Sequence, residues 1–148
     1  MGYPYTTLLS QITCSTAAFS ANQVIGTGIN FVTNAPKAGF IQGITITCKS
    51  TVNAQIDFMV CNSSMPNTTF TDHSSIAISS NDAFSLGPVI SVTNWAYGGT
   101  AASVGTANGL AYQYQTNLIQ HVYFALVARA ALTVNSTSDI QVAVTIVS

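Results

Sequence analysis

Two histidines, four aspartates and three cysteines are the side chains of this 148-residue sequence with the most obvious capacity for chemistry. Nucleophilic hydrolysis needs a Ser or Cys, a His to take its proton and usually a carboxylate to orient that His. His73 follows Asp72 inside the polar run CNSSMPNTTFTDHSSIAI, residues 61–78, and with the nearby serines it looks like a triad written in sequence order. Neighbouring residues on an extended chain point to opposite sides, so Asp72 and His73 are not expected to share a hydrogen bond. His121 opens the most apolar segment, where a hydrogen-bonded structural imidazole is the expected role. No G-x-S-x-G elbow presents a strained serine. These residues read as structural, and the chain as a non-enzyme.

Metal and cofactor chemistry fares no better. Asp57, Asp72, Asp82 and Asp139 are scattered, and with no Glu in the chain they form no D-x-D or H-x-H cluster at ligand spacing. Cys14, Cys48 and Cys61 are odd in number and lack a C-x-x-C pair, so buried reduced thiols are expected. The Gly-rich stretch YGGTAASVGTANG, residues 97–109, lacks the Lys of a phosphate loop and reads as a long flexible loop. No cofactor and no metal is expected. Asn62, Asn67 and Asn135 begin N-x-S/T triplets, but an opening without a signal peptide and a composition rich in Asn, Ser and Thr account for them without glycans.

The charge inventory is more informative. Lys37, Lys49 and Arg129 against the four Asp leave 5% of residues charged, where about 25% is ordinary. Three cations cannot neutralise a run of phosphates, so nucleic acid is excluded as a partner. No apolar run reaches the 18 or so residues that span a bilayer as a helix, and no membrane partner is expected. A surface this neutral suits a subunit that other protein covers, because free monomers use charge for solubility and to blunt sheet edges.

The elements that must position these residues are strands. GITITCKS places Ile44, Ile46 and Cys48 on one face, and AQIDFMVCN places Ile56, Phe58 and Val60 on one side with Asp57, Met59 and Cys61 on the other. The short STVN connection suggests an antiparallel hairpin, with Asp57 facing Lys49 or Thr47. VIGTGINFVT, FIQGIT, PVISVTN, HVYFALVARA and DIQVAVTIVS read as further strands, separated by clusters of Gly, Pro, Asn and Ser. The single helical hint is SSNDAF, where Ser80 or Asn81 would cap one turn. The expectation is an all-β, single-domain β-sandwich, jelly-roll-like, with seven to nine strands. Residues 14–148 form that domain, and residues 1–13 are an N-terminal arm or a first strand, the two readings standing equal.

The run FMVCNSSMPNTTFTDHSSIAISSNDAFSLGPVISV, residues 58–92, carries N-T-T-F-x-D followed by an apolar pair, an Asn-Asp turn and a short apolar strand. It resembles a segment of small structural proteins of tailed bacteriophages. AGFIQGITITCKS and LVARAALTVNSTSDIQVAVTIV are similar to that family's first hairpin and closing strand. The resemblance implies a head decoration, or cement, protein. Such a protein is a virion structural protein bound to the major capsid protein on the outer surface of the head, commonly as a homotrimer. His73 stands where the family often has Asn.

On this reading Asn62, Pro66, Asn67, Phe70 and Asp72 make a structural corner: Asn side chains shape turns, Pro66 fixes the bend, Phe70 enters the core, and Asp72 or Thr71 secures backbone N–H groups. Tyr3, Tyr5, Leu8, Leu9 and Tyr97 are the expected capsid or subunit contacts, since aromatics are enriched at interfaces. The NWAYGG segment, with Trp95 and Tyr97, is read as a second contact or a core anchor, the core being the favoured place for Trp95. A second reading, of a different class, is a carbohydrate-binding module of a phage fibre, with Tyr112, Tyr114, Trp95 and Tyr97 as an aromatic platform. Exposure of these four together on one face is the feature that would favour it.

Overall fold

A computed structural model describes residues 5–99, 101–116 and 119–148. Ten strands lie among them: β1 (Tyr5–Ile12), β2 (Val24–Val32), β3 (Ala38–Cys48), β4 (Ile56–Cys61), β5 (Leu86–Val92), β6 (Asn94–Tyr97), β7 (Ser103–Ala107), β8 (Tyr112–Gln115), β9 (Val122–Ala128) and β10 (Ile140–Val147). A short 3-10 turn, Ser80–Ser85, precedes β5. The strands form two antiparallel sheets, one ordered β1-β10-β3-β7-β6 with β8 added to β3, the other β2-β9-β4-β5. The protein is an all-β sandwich. Its ladders are nested along the chain: β1 pairs with β10, β2 with β9, β3 with β7 and β4 with β5.

Period-two alternation explains the main core. Ile44, Ile46 and Cys48 of β3 and Ile140, Val142, Val144 and Ile146 of β10 point inward from the six-stranded sheet. Ile56, Phe58 and Val60 of β4 meet them with Val122, Phe124, Leu126 and Ala128 of β9 from the four-stranded sheet. Phe58 and Phe124 stack with ring centroids 4.5 Å apart. Each Ile, Val, Leu and Phe among them, fully buried, contributes about 1.5–3 kcal/mol relative to exposure.

β4 and β9 are buried on both faces, which is why they read as unbroken apolar runs. Their outward residues Met59, Cys61, Tyr123, Ala125 and Val127 form a second cluster with Val24, Met65 and Phe70. The polar run after β4 thus folds back as a cover over the outer face of its own sheet. Phe70 is buried as expected, but in this outer cluster and not between the sheets.

Several expectations change. The β3–β4 hairpin does not form: β3 lies in the six-stranded sheet and β4 in the other, so residues 49–55 cross between sheets. Period-two faces describe a strand's burial but not its partner. Asp57 accordingly meets Arg129, not Lys49 or Thr47. FIQGIT is the first half of β3, kept in the ladder by a register break opposite Thr145 and Ile146. Part of the expected flexible Gly-rich loop is β7, held between β3 and β6. Gly105 in β7 belongs there because Trp95 crosses it: a Cβ would sit 2.9 Å from the indole.

The arm reading of residues 1–13 gives way to the strand reading for the part described. β1 pairs in unbroken register with β10, from Tyr5 opposite Val147 to Ile12 opposite Ile140. Alternating side chains, Thr6, Leu8, Ser10 and Ile12 against Tyr5, Thr7, Leu9 and Gln11, suit this half-buried edge. Tyr3 lies outside the described residues.

Candidate functional site

The corner between β4 and β5 is built on one carboxylate. The Asp82 side chain accepts from the Asn67 backbone N–H at 2.9 Å, from Asn67 Nδ2 at 3.0 Å and from Thr68 Oγ1 at 2.7 Å. Burial disfavours its charge, but the hydrogen bonds from Thr68 and Asn67 outweigh that and hold the carboxyl below its ordinary range. Pro66 follows Met65 in a tight turn closed by the Thr68 N–H on the Met65 carbonyl, so the bend at Pro66 is where the sequence puts it. Asn62 closes the corner through its backbone N–H, which donates to the Ser85 carbonyl at 2.7 Å. The 3-10 turn is capped by Ser79, whose hydroxyl accepts from the Asn81 N–H, and not by Ser80 or Asn81.

Asp72 ties a second loop down. Its Oδ2 accepts the Ser15 N–H at 2.7 Å and its Oδ1 the Gly26 N–H at 2.8 Å, which joins the chain before β2 and the start of β2 to the corner. Contrary to expectation, His73 Nδ1 lies 2.9 Å from Asp72 Oδ2. The physical reason is backbone: His73 has φ 64°, a left-handed conformation that breaks strand alternation and swings the ring back over its neighbour. The other ring nitrogen, Nε2, faces the Ala17 carbonyl at 2.7 Å, and the ring stacks on Phe19 at 3.7 Å. In a triad that nitrogen must face a nucleophile. Here the pair staples two loops.

The remaining carboxylates are used in the same way. Asp139 accepts from the Ser50 hydroxyl, from the Ser136 hydroxyl and from the Asn135 N–H, joining the end of β3 to the turn before β10. Asp57 accepts from Arg129 Nε at 2.6 Å and Gln55 Nε2 at 2.9 Å. For both, burial opposes ionisation and the hydrogen bonds outweigh it, lowering the pKa. Asp57, Asp82 and Asp139 are buried and the Asp72 side chain is 11% exposed. Lys37 and Lys49 are the exposed charged side chains among the described residues.

His121 stacks on Phe31 at 4.3 Å, and its buried Nδ1 has no hydrogen-bond partner. The three thiols are free and buried. Burial pushes Cys14 up to about 11, and Cys48 and Cys61 up to about 12, away from nucleophilic reactivity. No group of three or more metal-ligating side chains occurs among the described residues.

The surface is the remaining place for function. Of the expected contact residues, Tyr5 (65%), Leu9 (60%) and Tyr97 (51%) are exposed, whereas Leu8 points inward against the core. The sequence reading missed Phe40, which stands outward on β3, and Phe84, which is fully exposed on the 3-10 turn. The Asn-Asp pair just before Phe84 was the available signal for a rigid turn, but nothing local says that Phe84 stays outside. The aromatic quartet does not form a platform. Tyr114 is buried, Tyr112 is half-buried against the core, and Trp95 donates from Nε1 to the Ala54 carbonyl, the core anchor expected.

Sheet edges differ in their protection. β5 carries Pro88, β6 is four residues long, and β2 is interrupted at Gly26 and Gly28, both with positive φ, where its register on β9 breaks. β1 is eight residues long, regular, uncharged and free of Pro. No family model matches the chain, and no curated protein matches it significantly.

Proposed function

We propose that this chain is a virion structural protein, a decoration or cement subunit that binds the major capsid protein on the outside of a phage head and stabilises the shell, assembled as a homotrimer. The observation that carries this reading is the fate of the carboxylates. All four Asp are tied to groups within the fold, leaving a polar, nearly uncharged exterior from which Tyr5, Leu9, Phe40 and Phe84 project. Such a surface suits cover by other protein, and the unblunted β1 edge suits it too. A subunit of this kind needs no catalytic group and gains affinity from several weak contacts made at once through a symmetric oligomer. The scattering of Trp95, Tyr97, Tyr112 and Tyr114 favours it over the sugar-binding reading.

The sandwich is of jelly-roll type on this reading. Its support is the nested pairing of β1–β10, β2–β9, β3–β7 and β4–β5, a long antiparallel ribbon wound into two sheets. The resemblance of residues 58–92 to the decoration family points the same way.

The test is co-sedimentation of the purified chain with undecorated phage heads, followed by heating of the decorated and bare shells. Attachment that raises shell disruption temperature and changes little between low and high salt is expected, because few charges are available to be screened. Absence of attachment to heads from the phage that encodes the chain would overturn the assignment.

A further inference from the structure

At the β1 edge it is the backbone itself that is left open. Hydrogen bonding alternates along β10, and the Lys49 N–H fixes its phase by donating to the Asp139 carbonyl at 3.0 Å, one step beyond the Cys48–Ile140 pair. Asp139, Gln141, Ala143 and Thr145 thus turn their backbone groups to β3, whereas Ile140, Val142 and Val144 turn theirs to Ile12, Ser10 and Leu8 of β1. Tyr5, Thr7, Leu9 and Gln11 therefore direct their N–H and C=O groups away from β10 and out of the sheet. Thr7 and Thr145 agree with this phase. Their hydroxyls are 3.5 Å apart, the close approach expected of a non-hydrogen-bonded pair.

No described residue takes up those outward groups. The other edges are covered, short or broken. Along β2, the Val24 N–H donates to the Ser74 carbonyl, the His73 N–H to the Val24 carbonyl and the Gly28 N–H to the Phe70 carbonyl. β5 carries Pro88, and β6 and β8 have four residues each. A regular edge left open is a template for one more strand.

The composition of β1 says which strand. A second copy brings the same charges to the contact, so an edge that pairs with itself must be uncharged, and YTTLLSQI is. Antiparallel pairing with Leu8 opposite Leu8 across a two-fold axis places Thr7 of one copy opposite Leu9 of the other, and Tyr5 opposite Gln11. In that register the four residues with outward backbone groups pair only among themselves, giving about eight hydrogen bonds. A shift of one residue sets the outer side chains against the inner ones. A shift of two, with Leu9 at the axis, carries Tyr5 beyond the end of β1.

The side chains match in the same register. On the inner face Leu8, packed against the core, meets its counterpart at the axis, and Thr6 of one copy meets Ser10 of the other. Apolar and Thr–Ser pairs across strands are stabilising. On the outer face the exposed Tyr5 lies beside Gln11, and the exposed Leu9 beside Thr7.

We infer that β1 of one copy pairs with β1 of a second about a two-fold axis through Leu8, joining their six-stranded sheets into one continuous sheet. The contact is isologous and closes on itself, so it neither needs nor forbids the trimer proposed above.

The experiment measures the solution mass of the full chain from tens to hundreds of micromolar. Wild type is expected at an even multiple of 15.4 kDa. Thr7→Pro removes an outward N–H that β10 does not use, and Leu9→Lys sets charge along the edge. Each is expected to halve the mass while the far-UV circular dichroism stays that of the wild type. Register is read by cysteine: Leu8→Cys, oxidised, is expected to link two chains on a non-reducing gel, because residue 8 faces itself at disulfide distance. Tyr5→Cys, which faces residue 11, is expected not to link. An odd multiple for the wild type, folded variants that keep its mass, or equal linking by both cysteine variants would each overturn the inference. Three times 15.4 kDa would leave the proposed trimer standing while this contact fails, twice would do the reverse, and six times would support both.

Discussion

Arg129→Met should be costly at neutral pH and much less so in acid. Arg129 donates from Nε to Asp57 Oδ2 at 2.6 Å and from Nη1 to Asn22 Oδ1 at 2.7 Å. Asn22 holds a left-handed turn, φ 68°, just before β2, so the guanidinium bridges the end of β9 to the start of its neighbour. Met retains most of the apolar stem and removes both donors. Asp57 keeps Gln55, but its carboxylate, 7% exposed, loses its cation. Breaking a buried pair costs about 3–5 kcal/mol. Here the Arg side chain is 29% exposed and water can replace part of the lost bonding, so about 2 kcal/mol is expected.

The sign of the pH dependence follows from Asp57. Its folded pKa is lowered: desolvation opposes ionisation, and the hydrogen bonds from Gln55, Arg129 and Ser91 outweigh it. The associated stability is present above the unfolded carboxylate value of about 3.9 and is lost as pH falls through the lower folded value. Urea unfolding of wild type and Arg129→Met should therefore differ by about 2 kcal/mol at pH 7 and by less near pH 2.5. A cost under about 0.5 kcal/mol at pH 7, or an equal cost at both pH values, would show that the bridge does not stabilise the fold as argued.

Phe58→Ala, which removes one ring of the Phe58–Phe124 stack at the centre of the core, should cost about 3–5 kcal/mol in the same urea assay. Native protein should react negligibly with a thiol reagent at pH 8 and all three cysteines should react in denaturant, since burial raises each thiol to about 11 or 12. Deleting residues 1–13 should lower the thermal midpoint sharply and promote aggregation, because it strips β1 from β10 and uncovers a fresh strand edge. An unchanged midpoint would restore the arm.

The corner shows where sequence reading reached and where it stopped. Pro66 after Met65 and the apolar Phe70 are local chemistry, and the bend and the burial followed from them, whereas Asn62 acts through its backbone N–H and the Asn67 side chain bonds Asp82 in place of shaping a turn. Asp72 was read as securing backbone N–H groups on the way to the next segment; it does accept backbone N–H groups, but those of Ser15 and Gly26, 57 and 46 residues away, and its bond to His73 depends on a left-handed residue that no strand pattern reveals. Asp82 is the hub, and its partners Asn67 and Thr68 lie 15 and 14 residues away. Spacing on that scale carries no periodic signal. The short strands β6, β7 and β8 were hidden for a related reason. Gly105 and Tyr114 are a gap and the side chain that fills one, and each makes sense only beside the strand it faces.

The sequence by itself determined that the chain is all β, which residues of the long strands face inward, and that charged side chains are scarce, because alternation and composition act locally and additively. Tertiary structure alone decided that β3 and β4 part into different sheets, that residues 5–12 are a strand, and that all four Asp are tied within the fold. It also decided that Phe84 and Phe40 stand outside. Those outcomes depend on which surfaces meet across long stretches of chain, and pairing between distant segments leaves no periodic mark in either one.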